Sequence, residues 1–356
     1  MAIRTGFFCL FWCGKSWVRE NRVKGIFMRD CNKKTNWLMK SVELKFKIFR
    51  CFFSNDIKYK SRKHTKDFGH APNLVNPKTF NEKIIFRMLY EDNASYTLLA
   101  DKVNAKFYVS SIIGSQYVVP VIGVYEKFDD IDFEKLPVSF VLKCSHDSES
   151  CIICHDKRFF DKEEARKKMH FCLSRNMYHT TREKHYRYIE PVIVCEEYLD
   201  VYKHKKRDLT PELYRVHCFD SIPKFIEADF TDSSGKEFVN VYNDNWELQD
   251  VTVGFPNKTE NIACPQELKE LLRLSTILAG KFDYVRLDWF VVDGSLFFSE
   301  FTFTPCSGRM KFHPVDFDAV FGSYWNQGVY ARNNIRFASN EMAGRDSWLD
   351  NHQSEK

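Results

Sequence analysis

Asp288 and Glu300 lie in the stretch YVRLDWFVVDGSLFFSEFTF (residues 284 to 303), each an acid inside a run that otherwise reads as apolar strand. Two carboxylates beside the guanidinium of Arg286 make a donor set suited to Mg²⁺-assisted phosphate chemistry, provided all three share one face. Side chains alternate along a strand, so the turn decides the matter. A two-residue turn at Asp293-Gly294 pairs Val292 with Ser295 and sends the two acids to opposite faces. A three-residue turn, Val292 to Gly294 with Gly294 left-handed in a bulge, puts Asp288, Glu300 and Arg286 together. The plainer alternative is a half-exposed hairpin whose acids simply meet water.

Three further groups carry charge where phosphate chemistry would use it. Lys102 lies in LADKVNAKFYV, and Lys143 precedes a polar loop, Ser145 to Ser150. Glu196-Glu197-Tyr198 ends a buried strand. Lysines supply point charges to polyphosphate, and carboxylates accept from ribose hydroxyls and amino groups. Singly, each has an ordinary explanation, since strand-edge lysines commonly guard an edge against pairing. Other spacings carry less. Gly14-Lys15-Ser16 echoes the end of a P-loop, but Cys9 stands where a glycine is needed. Cys151 and Cys154 have zinc-knuckle spacing without a second pair, and on a strand they point to opposite faces. Asp130-Ile131-Asp132 has the D-x-D spacing of a nucleotide-sugar site but reads as a surface turn without a βα frame.

The elements that must position these groups alternate in kind. NPKTFNEKIIFRMLYED begins a helix, with Pro77 in its first turn and Phe80, Ile84, Ile85 and Met88 at helical spacing. SYTLLADKVNAKFYVSSIIG reads as a second helix stopped by Gly114. YVVPVIGVY reads as strand, FVLKCSHDSESCIIC as two strands around a loop, and FDKEEARKKMHFCLSRN as helix. PVIVCEEYL is a buried strand, ELYRVHCFDSIPKFIEADF a hairpin turning at Asp220-Ser221, and a helix from about Gln266 to Ala279 precedes the last hairpin. The last dozen residues read as a frayed end. The order predicts an α+β fold with antiparallel sheets.

The chain has 356 residues, of which 44% are hydrophobic, enough for a sizeable core. No run reaches the length of a membrane span, and the apolar stretch Phe7 to Cys13 is too short and lacks a cleavage signal, which predicts no secretion. Most of the twelve cysteines do not follow loop-rich disulfide spacing, and several fall in strand-like runs, which predicts reduced thiols and a cytoplasmic location. Residues 1 to 66 hold 17 Lys and Arg against 4 Asp and Glu, a charge of +13, so the other 290 residues carry −8 of the net +5. Within this basic segment ELKFKIFRCFF (Glu43 to Phe53) admits two readings: a solvated linker with anchoring aromatics, or a short amphipathic element resting on an anionic membrane or a partner.

In order, NPKTFNEKI, LADKVNAKFYV, FVLKCSHDS, EEYL, YRVHCF, PKFI, VRLDWF and SEFTFTP resemble the TupA-like (teichuronopeptide-biosynthesis-like) branch of the ATP-grasp superfamily over about residues 67 to 325. The resemblance implies two α+β subdomains clasping ATP, with 1–66 a basic extension, 67–139 a preceding region, 140–200 the lid, 201–325 the metal-binding subdomain and 326–356 a tail. It implies ATP and Mg²⁺ as cofactors. Lys102, Lys143, Ser145, His146, Asp147, Ser148, Glu196, Glu197 and Arg215 are then expected to bind nucleotide, Asp288, Glu300 and Thr302 to bind metal, and Arg286 and Lys143 to act in catalysis. On this reading the last hairpin takes the three-residue turn.

The implied reaction activates a carboxylate as an acyl phosphate and passes it to an amine or another nucleophile on a glycan or lipid-linked sugar of bacterial surface-polysaccharide synthesis. His179, Arg182, His185 and Tyr186, in an exposed-looking segment, are acceptor-side candidates, with a mobile linker as the alternative. Glu149 and Ser150 stand where relatives have glycines, Thr302 where the superfamily places a metal-binding Asn, and Cys306 where relatives tend to have Gly. A glycosyltransferase and a catalytically silent nucleotide-binding protein remain as alternatives, and nucleotide consumption separates the three. No nucleic-acid partner is expected.

Overall fold

The structure is a computed structural model that describes residues 36–53, 55–148, 150–280 and 282–327. The Phe7 to Cys13 run, Gly14-Lys15-Ser16, Glu149 and the last dozen residues lie outside this set. The basic segment contains α1 (Trp37–Phe53) and α2 (Asp56–Phe68). Next comes α3 (Phe80–Tyr90), which starts three residues after Pro77. Thr79 takes the capping position because its hydroxyl and the Glu82 carboxylate satisfy each other's backbone N–H groups.

The segment expected as one helix to Gly114 is two, α4 (Ala94–Ala100) and α5 (Lys102–Ile113). Asp101 breaks it. Its carboxylate accepts the N–H groups of Val103 and Asn104, a bond available only at a helix start, so Lys102 becomes the first residue of α5.

A four-stranded antiparallel sheet follows, built from β1 (Val121–Tyr125), β2 (Phe140–Cys144), β3 (Ile152–Cys154) and β4 (Ile193–Glu197) in the order β1-β4-β2-β3. It thus takes a strand from upstream of residue 140. One face buries Phe140, Leu142, Cys144, Ile193 and Cys195 against α6 (Lys162–Leu173). The alternate residues, Lys143 and Glu196, occupy the other face. Helix α7 (Met177–Thr181) lies between α6 and β4.

The second sheet is larger. It contains β5 (Leu213–Phe219), β6 (Ile222–Thr231), β7 (Glu237–Asn243), β9 (Tyr284–Val292) and β10 (Ser295–Thr302), in the order β10-β9-β5-β6-β7 with every pair antiparallel. Between β7 and β9 come the two-residue β8 (Thr252–Val253) and α8 (Leu268–Ala279); after β10 come β11 (Phe312–His313) and α9 (Phe317–Ser323). One face of this sheet packs Val216, Ile226, Leu287, Trp289 and Phe298 on Leu271, Leu274 and Leu278 of α8 and on Val109 of α5. At one end of the other face Phe219, Phe225 and Tyr284 meet Phe80 and Phe321 from α3 and α9. The rest of that second face is charged. The expected hairpin at Asp220-Ser221 forms, both residues having positive φ (48° and 68°).

The last hairpin corrects the sequence reading. Its turn is the two-residue form, with Val292 opposite Ser295 and positive φ at Asp293 (48°) and Gly294 (77°), as an Asp-Gly turn between right-twisted strands favours. The acids nevertheless share a face, because the register shifts between Phe298 and Glu300. Phe298 pairs with Trp289, Glu300 with Asp288, and Ser299 is the extra residue of a bulge. Among the cysteines, Cys51, Cys144, Cys151, Cys154, Cys172, Cys195, Cys218 and Cys264 are free, whereas Cys306 is disulfide-bonded, against the expectation of reduced thiols throughout.

The turn and the alternation on either side of the bulge, not Ser299 itself, set this register. Deleting Ser299 should therefore leave Glu300 opposite Asp288 in a regular ladder, at a cost of about 1 kcal/mol read from thermal or urea unfolding. A deletion variant that does not fold would show that the extra residue is what holds the strand in place.

Candidate active site

Paired residues on the charged face form rows across the strands. One row runs Glu300, Asp288, Arg215, Glu227 over β10, β9, β5 and β6, and the next runs Thr302, Arg286, His217, Phe225. Arg215, His217, Glu227, Arg286 and Asp288 are buried. The side chain of Glu300 is 35% exposed against 2% for Asp288, so Glu300 is the acid that opens outward.

Hydrogen bonds hold the row together. Arg286 donates from Nε and Nη2 to the two oxygens of Asp288, each at 2.7 Å, and from Nη2 to the Thr302 hydroxyl at 3.1 Å. Thr302 donates to Glu300 Oε1 at 3.4 Å, so its hydroxyl orients both neighbours. Arg215 pairs with Glu227 at 3.1 Å and with Asp229. His217 donates Nε2–H to Glu227 at 2.9 Å and accepts the Tyr284 hydroxyl on Nδ1 at 3.0 Å. Burial keeps His217 below its ordinary pKa. Burial would raise Glu227, but the His217 hydrogen bond and the Arg215 and Arg286 charges bring it down to about 2. Asp288 goes the other way: burial and the Glu300 charge outweigh Arg286 and push it up to about 6.

The smaller sheet supplies the opposite sign. Lys143 Nζ lies 2.6 Å from Glu196 Oε2, and Lys106 Nζ of α5 lies 3.0 Å from Glu196 Oε1. Burial works against the Lys143 charge, yet Glu196 wins and holds its pKa above the ordinary value. For Lys106, burial prevails and the pKa falls to about 8. Burial also opposes ionisation of Glu300, but Lys102, Arg286 and Lys143 together keep it below its ordinary pKa. Lysines from α5 and β2 and acids from β9 and β10 therefore sit within electrostatic reach of one another.

The loop after β2 is internally braced. Lys102 donates its side chain to the Asp147 carbonyl and its N–H to the Ser145 carbonyl. The Ser145 hydroxyl donates to Glu190 O at 2.9 Å. The His146 Nε2 lies within hydrogen-bond distance of the Cys172 and Arg175 carbonyls, and the Asp147 carboxylate takes a forked pair of bonds from Arg175. Of Ser145, His146, Asp147 and Ser148, only Ser148 is exposed. The side chains of the first three build the loop, and Ser148 points to its surface.

Other expected residues divide. Glu196 is held by two lysines, while Glu197 at the strand end is exposed. The acceptor-side segment is not an exposed linker: Arg182 and His185 are buried, and burial takes His185 down to about 4. Arg182 lies 3.4 Å from Asp56 and over the Tyr59 ring at 4.7 Å. His179 is half-buried beside the Tyr178 ring. Tyr186 lies near the charged row, where Glu183, Glu300 and Asp147 add to burial in raising its pKa. The sequence reading reaches Arg215 but not His217, Glu227, Asp229 or Lys106. The available signal is ionisable residues two apart in YRVHCF and FIEADF, and a lysine four residues after Lys102.

The donor set fits Mg²⁺, which prefers one or two carboxylates completed by phosphate oxygens and water. Asp288 and Glu300 are direct cross-strand neighbours, and one of them is accessible. No cluster of three or more His, Cys, Asp or Glu suited to a metal occurs among the described residues, so substrate oxygens would have to complete the shell.

Glu196→Gln removes the counter-charge of two buried lysines and should cost about 3–5 kcal/mol. Glu197→Gln, at an exposed position, should stay within about 0.5 kcal/mol of the parent in the same urea titration. Equal effects would contradict the division between the two acids.

Among solved structures the chain is similar to D-alanine-D-alanine ligase from Helicobacter pylori, at 14% identity over 59% of this chain and 53% of that one, with a TM-score of 0.35. It is also similar to D-alanine--D-alanine ligase from Bacillus anthracis (18%, 70% of each chain, TM-score 0.37) and to VanG D-Ala:D-Ser ligase from Enterococcus faecalis (12%, 65% and 61%, TM-score 0.35). The chain thus spans about half the length of the first of these. No curated protein matches it. The model of the family described as TupA-like ATPgrasp matches residues 82–326, well over half of the 356, and the chain belongs to that family.

Proposed function

We propose that the protein is an ATP- and Mg²⁺-dependent ligase that activates a carboxylate as an acyl phosphate and transfers the acyl group to an amine or hydroxyl. The observation that carries this is the pair of facing charged surfaces: lysines 102, 106 and 143 with one acid on one side, and four acids with two guanidiniums on the other, coupled through Glu300. Polyphosphate suits the first surface and a divalent cation the second.

Each residue then has a defined task. Lys102 and Lys143 balance phosphate charge, together with backbone groups of the 145–148 loop and Ser148. Asp288 and Glu300 would hold Mg²⁺, which draws charge from the phosphate oxygens when bound. Arg286 and Thr302 act as positioning residues, fixing the oxygens of the two acids, and Arg215 neutralises the inner end of the row. Glu197 and the strand end beside it suit ribose and adenine, a role that Glu196 gives up to the two lysines.

The chemistry balances without a protein nucleophile. A substrate carboxylate oxygen attacks the γ-phosphorus and the bond to ADP breaks; an amine or hydroxyl then attacks the acyl carbon, phosphate leaves with the electron pair, and the nucleophile's proton goes to the departing phosphate. The acceptor in this reading is an amine- or hydroxyl-bearing glycan or lipid-linked sugar of surface-polysaccharide synthesis, and the reaction takes place on the cytoplasmic side.

Calorimetry of ATP with Mg²⁺ tests the site. The wild type should bind, and Glu300→Gln with Asp288→Asn should weaken binding at least about tenfold, or ~1.4 kcal/mol. Glu300→Gln alone, at a partly exposed position, checks that any loss is not unfolding. Unchanged affinity in both variants would remove the metal assignment, and turnover of a UDP- or GDP-sugar without ADP release would favour a glycosyltransferase.

A further inference from the structure

Glu183 is a buried carboxylate without an ion pair. It follows Arg182, whose positive φ (63°) closes α7, and only 7% of it is exposed. Its Oε1 accepts the hydroxyl of Thr304, a neutral donor, and no ion pair reaches either oxygen among the described residues. Oε2 has no hydrogen bond, yet it is not sealed from solvent. The cations nearby are engaged elsewhere. Lys60 Nζ of α2 donates to the Ser307 carbonyl at 3.2 Å and acts on Glu183 only through space. Lys184 Nζ donates to the Leu89 carbonyl at 2.7 Å, Arg87 pairs with Asp283 and Glu91, and Arg286 is held by Asp288. Burial takes Lys60 to about 7 and His185 to about 4, so neither brings a full positive charge at neutral pH. A carboxylate withdrawn from water calls for a cation at bonding distance, and here the described chain supplies none.

The position of this acid decides what the cation is. Thr304 lies four residues beyond Glu300 and two beyond Thr302, on the parity of the charged face, while Phe301 and Phe303 between them face α8. Tyr186, in the turn Lys184–Tyr186, stands within electrostatic reach of both Glu183 and Glu300. Its hydroxyl has no hydrogen-bond partner among the described residues and is likewise not sealed from solvent. Glu183 Oε2 and the Tyr186 hydroxyl are thus two open acceptors beside the acid expected to carry the metal.

We propose that Glu183 and Tyr186 hold the nitrogen of the acceptor as an ammonium, which makes the acceptor a primary amine and not a hydroxyl. This rests on the ligase reading above. An ammonium brings the missing charge and three N–H donors, where a hydroxyl brings one donor and no charge. A divalent cation is served better by the two paired carboxylates of Asp288 and Glu300 than by one carboxylate with a phenol. The site adjoins Glu300, where the acyl phosphate would form, so the bound nitrogen waits next to the carbon that it attacks. Before attack the ammonium passes one proton to Glu183, which frees the lone pair. The second proton goes to the departing phosphate, the third stays on the amide nitrogen, and Glu183 returns its own to water.

Saturation-transfer NMR tests this on the full chain loaded with Mg²⁺ and a non-hydrolysable ATP analogue, with glucosamine, glucose and N-acetylglucosamine as probes that differ only at C2. Glucosamine should bind at least about tenfold more tightly than the other two, the worth of one charge-assisted hydrogen bond. Glu183→Gln, which keeps an acceptor for Thr304, should abolish that preference, and Tyr186→Phe should reduce it about threefold. The Tyr186 hydroxyl bonds no described residue, so the effect of its removal is not one of unfolding. Both variants should bind ATP with Mg²⁺ as the wild type does in calorimetry. Equal binding of the three sugars, or binding of none, by a wild type that binds ATP would overturn the amine assignment. A preference that survives both substitutions would remove Glu183 and Tyr186 from the site. A wild type that does not bind ATP would remove the ligase reading, and this inference with it.

Discussion

A carboxylate removed from water must be matched by a cation or give up its charge, and the charged face of the five-stranded sheet is built around that requirement. Asp288 lies at the centre. Burial drives it toward the neutral acid, Arg286 holds it with two hydrogen bonds, and Glu300 beside it pushes its pKa up again. Arg215 serves Glu227 and Asp229 further along, and His217 supplies a hydrogen bond without a charge. Four acids against two guanidiniums leave this face short of positive charge, and the deficit falls at Glu300, where the row opens.

The smaller sheet offsets the deficit with its own lysines. Glu196 neutralises only part of the charge of Lys106 and Lys143, and Lys102 adds another from the first turn of α5. The remaining positive charge reaches Glu300 through space. In the proposed function a polyphosphate with its cation would take the place of the direct attraction, anion toward lysines and cation toward acids, while each sheet keeps its internal pairs. The loop after β2 is held by the bonds among Lys102, Ser145, His146, Asp147 and Arg175.

Much of this was legible in the sequence because the controlling signals are local. Asp220-Ser221 marks a hairpin, and the apolar strands with their isolated charges mark both sheets of the ATP-grasp fold, whereas the helix start at Asp101-Lys102 was missed because the apolar spacing runs on through it. The turn of the last hairpin was misread because turn type and a mid-strand bulge have the same effect on parity. The residues that face the α8 side along β10 and beyond are Leu296, Phe298, Phe301 and Phe303, at steps of two, three and two. The step of three is the bulge, visible only when the apolar positions are followed past the turn. Glu196 and Glu197 show a different limit: adjacent acids look alike in sequence, but strand alternation gives one to buried lysines and the other to solvent. The buried state of Arg182 was equally hidden, since it depends on Asp56 and Tyr59 more than a hundred residues away.

Helix α1 and the loop after β2 are joined through one structural unit. Helix α6 carries Glu164 and Phe171, which seat Trp37, and the segment at its end supplies the carbonyls of Cys172 and Arg175 that hold His146, together with the Arg175 guanidinium on Asp147. Helix α7 follows at once and is tied to α2. The unit that braces the loop is thereby seated on α1 and α2, and Tyr186, just beyond α7, lies near Glu300. Helices α1 and α2 are thus a packed part of the support of that loop.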